Sequence, residues 1–344
     1  MEVLELMLGA SLVGALTCYV LTGGADFGAG IWTLFALGST GEKERALIDQ
    51  AIGPIWEANH VWLIVAVTIL FTAFPAAFSL IATALHIPLS IMLVGIVLRG
   101  TAFAVRTHDI SAEAKGRSTT PKVWRYVFGG SSVFTPMLLG IALGAVASGR
   151  LPMAVSPGSF SQRFVFPWLA PFPISVGVLT VTLVAYLAAA YLLVEAGERG
   201  LRNVFARRTV ASGVTVLVTG GTAFWLARDG APEIYAGLTQ TPIGLLAIGL
   251  TVAFHTAAIS AVWRGRDRAA RWFAVGGAVG MLWGWAISQF PFLVEPHLTI
   301  AHASPPPTLR ILLISLVSGS LVLFPLLYYL YRLFKGRVLH GSRE

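Results

Sequence analysis

The feature that most constrains this chain is the recurrence, along its whole length, of stretches of roughly 18 or more residues with almost no charge, each long enough to be a membrane-spanning helix. Of its 344 residues, 56% are hydrophobic and only 12% are charged. A soluble domain carries roughly 25% charged residues, so about half the usual polar surface is missing. Water cannot be the only solvent. The chain reads as all-α: a polytopic transmembrane helix bundle forming one integral membrane domain over residues 1–344.

Hydropathy places about nine helices, near 7–37, 55–74, 76–105, 122–148, 172–196, 206–227, 241–263, 270–290 and 308–334. The second and third are separated only by Phe74-Pro75, which predicts a tight helical hairpin. A short amphipathic piece from Glu42 to Gln50 leads into the second helix and is stopped by Gly53-Pro54, where proline suits the first turn of a new helix. The longest connection, about 149–171, is rich in Pro, Ser and Phe and too short for a soluble domain. No internal repeat is visible.

Basic residues orient the bundle. Most of the 24 Lys and Arg fall after helices 1, 3, 5 and 7 and in the C-terminal tail, while the opposite side holds only Arg150, Arg163, Arg228 and Arg310. The positive-inside rule then puts the N-terminus outside and the C-terminus in the cytoplasm. Trp124, Trp263 and Trp272 fall at inner helix ends, and Trp168 and Trp225 at outer ends, as interfacial belts require. The acidic start, Met1-Glu2-Val3-Leu4-Glu5, has no small-residue cleavage site after it, so the first helix is expected to be retained. The net charge of +8 is spread over short loops rather than one soluble basic face, which argues against nucleic-acid binding. Cys18 is the single cysteine, so there is neither a disulfide framework nor a thiolate metal site.

Polar residues inside the apolar runs are the informative ones, because a charge at a helix centre costs around 2.5–3.5 kcal/mol on insertion scales. Asp26 lies in Gly24-Ala25-Asp26-Phe27-Gly28-Ala29-Gly30. Gly24 and Gly28 form a small-xxx-small pair that lets a second helix approach, which points Asp26 into protein. Asp26 either neutralises an arginine in a packing helix or serves function. Glu57, Asn59 and His60 lie near the inner end of helix 2, with 57 and 60 on one face. A carboxylate, an amide and an imidazole there can pass protons; the plainer alternative is a snorkelling charge beside a hydrogen-bonded histidine. Arg99 lies at similar depth in helix 3, which makes it the natural partner of Asp26 or Glu57. Glu195 closes helix 5 at the inner interface, where solvation is expected. His86 and His255 lack any paired ligand spacing, so metal or haem ligation by this chain is not expected. His297 and His302, beside Pro305-Pro306-Pro307, read as a stiff external loop. No Gly-x-Ser-x-Gly, Walker loop, His-Glu-x-x-His or dinucleotide fingerprint is present.

Taken in order, Gly24–Gly30, then Gly53-Pro54-Ile55-Trp56-Glu57-Ala58-Asn59-His60-Val61-Trp62, then Phe74-Pro75 and Leu98-Arg99-Gly100, resemble subunit II of the cytochrome bd-type terminal oxidases over about residues 20–106. The resemblance implies a subunit without catalytic residues of its own. Its complex would oxidise membrane quinol and reduce oxygen to water with protons from the cytoplasm. It implies b- and d-type haems in a partner, subunit I, with which this chain forms a heterodimer that accessory subunits can join. It implies a bacterial or archaeal cell (inner) membrane. Glu57 matches the acid near the cytoplasmic entrance of a proton path; Asp26 and Arg99 match an acid and an arginine with structural or quinone-contacting roles. Better-known relatives read Trp-Asp-Gly-Asn where this chain has Trp56-Glu57-Ala58-Asn59, so the carboxylate is kept one methylene further out. The reading from another class is a secondary ion-coupled transporter using Asp26, Glu57 and Arg99; such folds show repeats and broken helices at the midplane.

Overall fold

A computed structural model describes residues 3–52, 56–113, 123–152 and 158–340, although the side chains of 52, 56, 57, 106–113, 331 and 333–340 lie outside the description. The chain runs α1 (Val3–Leu34), α2 (Gly41–Ile52), α3 (Trp56–Ala73), α4 (Pro75–Ala84), α5 (His86–Glu113), α6 (Val123–Ala147), α7 (Phe160–Phe164), α8 (Pro171–Glu195), α9 (Arg199–Gly230), α10 (Pro232–Gln240), α11 (Pro242–Trp263), α12 (Asp267–Gln289), β1 (Phe292–Val294), β2 (Leu298–Thr299) and α13 (Pro306–His340). Seven of these helices are long and apolar enough to cross a membrane, and up to eight if the bent pair α3–α4 is one span. This is a multi-pass, all-α membrane bundle. α12 is not among them and lies where another span was expected.

Proline placement explains several boundaries. Pro75, Pro171, Pro232, Pro242 and Pro306 each stand first in a helix, where a missing N–H costs nothing and the fixed φ already suits the turn. At α11 the Thr241 hydroxyl adds a cap, accepting from Gly244 N at 3.0 Å. This punctuation corrects the hairpin expected at Phe74-Pro75. α3 and α4 meet there at a bend of 116°, and the helix expected over 76–105 is broken again at Leu85. Pro88 lies in the first turn of α5, compatible with a helix start rather than a helix interior. α4 is therefore a ten-residue helix set off by breaks at Phe74 and Leu85.

The long helices pack as two groups. α1, α3, α5 and α6 form one and α8, α9, α11 and α12 the other; both α1 and α6 also pack on α8, which joins them. Apolar residues cement each end. Leu8, Ile69, Phe74, Leu85, Leu151, Val294 and Leu309 gather at the end bearing the β1–β2 hairpin. Ile48, Phe103, Phe128, Leu192, Phe205 and Ala270 gather at the end bearing α2. α13 leans on α3 and α1 and leaves Ile311, Ile314, Val317, Leu321 and Val322 exposed, which a lipid solvent accommodates. The segment read as a stiff loop near His297 is instead an antiparallel hairpin.

Candidate functional site

The site is built on α1, whose glycines admit its neighbours. A Cβ at Gly28 would collide with the Val184 carbonyl of α8, and one at Gly30 with the Ser132 hydroxyl of α6. A Cβ at Gly24 would lie 3.1 Å from Val184 Cγ1, and one at Gly23 3.6 Å from the Asn59 carbonyl of α3. Close approach by α8, α6 and α3 leaves Asp26 only 4% exposed. The Nδ2 of Asn59 donates to its Oδ2 at 2.7 Å.

Arg99 of α5 is 2% exposed. Its Nη1 donates to His60 Nε2 at 3.3 Å, and its Nε to Ser132 Oγ at 3.3 Å. Ser132 in turn donates to the Phe128 carbonyl at 2.7 Å. The guanidinium lies over the Phe27 ring at 4.7 Å and the Phe128 ring at 5.3 Å; such cation–π contacts contribute about 2 kcal/mol each when desolvated. Because guanidinium has donors only, His60 Nε2 is an acceptor here, and the neutral ring carries its proton on Nδ1. The His60 ring also meets Phe27 edge-on at 5.6 Å and Tyr19 at 5.8 Å.

Asp26 and Arg99 carry opposite charges close enough to act on each other, yet no ion-pair contact joins them. The direct Asp26–Arg99 pairing considered from matched depth is thus replaced by two hydrogen-bonded pairs, Asp26 with Asn59 and Arg99 with His60 and Ser132. The distinction is chemical. A direct buried ion pair locks both charges, whereas here the carboxylate is held by a neutral amide and the guanidinium by an imidazole, a group that can take up and release a proton. Glu57 stands at the start of α3; its side chain lies outside the described residues. Ser132, Phe27 and Phe128 also belong to the site. A serine in an apolar helix ordinarily satisfies itself on its own preceding turn, so its second role left no mark in the sequence.

The α2 end is held by ion pairs. Arg208 of α9 reaches the buried Glu44 at 2.6 Å and the Phe35 carbonyl at 3.0 Å. Arg202 grips Asp267 with two bonds of 2.7 and 2.8 Å, and Lys43 meets Glu198 at 2.8 Å. Glu195, expected to be solvated, has Arg271 at 3.9 Å. Of these contacts, those of Glu44 and Lys43 tie α2 to α9 and to the α8–α9 connection.

His86 and His255 lie apart from this site. His86 Nδ1 donates to the Thr83 carbonyl at 2.9 Å near the surface. His255 is wholly buried. Among the described residues no three His, Cys, Asp or Glu side chains converge as a metal site.

A family model described as "Cytochrome bd terminal oxidase subunit II" matches residues 4–334. The chain is 30% identical over 230 residues to "Cytochrome bd-I ubiquinol oxidase subunit 2" of Escherichia coli (strain K12), covering 64% of this chain and 55% of that protein, a little over half its length. It is 28% identical over 293 residues to "Cytochrome bd ubiquinol oxidase subunit 2" of Bacillus subtilis (strain 168), covering 82% and 80%. Its fold is similar to a chain in "The structure of bd oxidase from Geobacillus thermodenitrificans", with a TM-score of 0.75, 24% identity, and coverage of 97% and 99%.

Proposed function

The chain belongs to the cytochrome bd terminal oxidase subunit II family, and from that premise we propose that it is the subunit without haem ligands in a quinol:oxygen oxidoreductase. Its partner is a haem-bearing subunit I, and the pair sits in the cell membrane of a prokaryote. The chain forms one membrane domain crossing nine times, N-terminus outside. In the complex the haems of the partner supply the oxygen chemistry. This chain supports that partner and holds protons on their way from the cytoplasm.

The observation that carries the reading is the pair of buried, oppositely charged side chains, Asp26 and Arg99, each hydrogen-bonded to a residue of one turn of α3, Asn59 and His60. That turn lies directly after Glu57, at the end of the bundle where Lys and Arg collect. A proton arriving at Glu57 has His60 one turn further along the same face. To take it at Nε2, the His60 ring must release the Arg99 donor. The Arg99 charge then disfavours a second positive charge beside it, so residence there is brief and transfer onward is favoured. Asp26, kept in place by Asn59, is the adjoining carboxylate that offsets the Arg99 charge.

The test is Glu57→Gln in the complex purified with its partner. Oxygen-reduction turnover is expected to fall more than the yield of assembled, haem-bearing complex. Normal turnover in assembled enzyme would reduce Glu57 to an interface anchor. Purification of the wild-type chain without haem absorbance and without a second polytopic subunit would overturn the oxidase assignment.

A further inference from the structure

Three apolar spans end together on the side of the bundle away from α2: the C-terminus of α6, the N-terminus of α8 and the C-terminus of α9. Ala147, Phe172 and Ala227, one from each of them, share an apolar cluster. Gly230 admits the closest approach, since a Cβ there would strike the Phe172 side chain. After α6 the chain turns at Gly149, whose φ of 67° suits glycine, and Ser148 Oγ accepts from Arg150 N at 3.3 Å. That turn brings Arg150 to the end of α9, where its Nη2 donates to the Asp229 carbonyl at 2.8 Å.

A cleft of about 240 Å³ opens between these helix ends, lined by Arg150 and Asp229 together with Pro171, Phe172, Pro173 and Leu226. It therefore combines an apolar wall with two opposite charges. Arg150 gives a guanidinium donor to a backbone carbonyl, not to a carboxylate, and neither Arg150 nor Asp229 has an ion-pair partner among the described residues. Both are exposed, so both charges are open to a ligand. The volume is below the roughly 300–1,000 Å³ of pockets that enclose a whole drug-sized ligand, which suits a polar headgroup whose chains lie outside. Depth points the same way. The cleft sits where three spans leave the hydrocarbon, and Trp225, one turn before Asp229 and 69% exposed, is a residue type that marks the membrane interface.

We propose that this cleft binds the headgroup of a zwitterionic aminophospholipid, with its phosphate on Arg150, its ammonium on Asp229 and its glycerol end against Phe172, Pro173 and Leu226. A guanidinium suits phosphate. The Asp229 carboxylate disfavours a headgroup with negative charge alone, so the two side chains together select the class that carries both signs. Free phosphoethanolamine has the same charges but nothing to cover the apolar wall, which makes lipid the source. The cleft shares no residue with the Asp26–Arg99 group and requires only that the chain lie in a bilayer, so it stands whether or not that group carries protons.

Native mass spectrometry of the complex purified with its partner, in detergent holding phosphatidylethanolamine and phosphatidylglycerol with the same acyl chains, tests this. Wild type is expected to retain phosphatidylethanolamine over phosphatidylglycerol by about two- to fivefold, the range that an exposed charge pair supports. Asp229→Asn is expected to remove that preference, and Arg150→Gln to lower retention of phosphatidylethanolamine. Equal retention of the two lipids by wild type, or retention unaltered by either substitution, overturns the proposal. Glycerophosphoethanolamine, which has no chains, is expected to leave the bound lipid in place; displacement by it would overturn the assignment to lipid. A density map of the wild-type complex in nanodiscs containing phosphatidylethanolamine reads the position and serves even where a variant does not assemble. Headgroup density against both Arg150 and Asp229 is expected there, and an empty cleft overturns the proposal.

Discussion

Asn59 donates its side-chain amide to Asp26 at 2.7 Å, joining α3 to α1 at a point where both residues are buried and where Arg99 acts on the carboxylate without touching it. An amide is suited to this position. It holds a carboxylate by hydrogen bond while adding no charge, so Asp26 stays responsive to Arg99 and to any proton that reaches it. Replacing Asn59 by Ala removes the donor and leaves a buried oxygen unsatisfied, at a cost of about 1–3 kcal/mol. Asn59→Ala is expected to lower both the apparent unfolding midpoint and oxygen-reduction turnover of the purified complex. Unchanged values of both would show that Asp26 is satisfied by other means.

Arg99 makes directional bonds to His60 and Ser132 and lies over two aromatic rings. Lysine can supply the charge but not the planar fork. The yield of assembled complex from membranes is therefore expected to fall strongly for Arg99→Ala and to recover only in part for Arg99→Lys. Full recovery with Lys would mean that charge alone, rather than the geometry of the guanidinium, is what the site requires.

Gly28 lets α1 and α8 meet backbone to backbone, since any Cβ there would collide with the Val184 carbonyl. Gly28→Val is expected to abolish stable insertion of the bundle or to lower its melting point by more than the Asn59 change does. Overpacking of this kind typically costs about 1–3 kcal/mol, and more where only backbone can yield. Protease resistance of the chain in membranes reads this directly. Wild-type resistance would show that α8 can slide away from α1.

Glu295, in the hairpin outside the spanning helices, is 2% exposed. Burial, with the Glu233 charge adding to it, pushes its carboxyl up from 4.5 to about 7. The folded chain therefore binds this proton more tightly than the unfolded chain. The stability it contributes is fully present below about pH 4.5 and is lost as the pH rises through about 7. Between those values the unfolding midpoint of the complex is expected to fall more steeply with pH in wild type than in Glu295→Gln. Parallel pH profiles would show that Glu295 keeps one protonation state throughout.

Several features were legible from residues alone. Asp26, Asn59, His60 and Arg99 stand out because polar groups are costly in lipid, and a sequence displays that cost without any structure. The glycines of α1 marked a close approach but not the helix that makes it. Glu295 gave no signal: it lies in a Pro-rich connection that reads as solvated, and only the folding of the hairpin against the bundle buries it. His255 was visible as a lone histidine in an apolar run. Tyr186, its stacking partner, lies nine residues before Glu195, the charged residue of α8, and looks like any membrane tyrosine.

What the sequence by itself determined is the solvent, the all-α class and the family: repeated uncharged runs require helices in lipid, and ordered motif blocks over the first hundred residues identify the relatives. What only the tertiary structure decided is pairing. Partition into a bilayer depends on each helix separately and reports depth along one axis, so it could place Asp26 and Arg99 near the same level and no more. Whether they touch depends on how each helix is rotated and how closely its glycines let a neighbour approach. Those rotations gave Asp26 to Asn59 and Arg99 to His60 and Ser132, as two separately hydrogen-bonded charges.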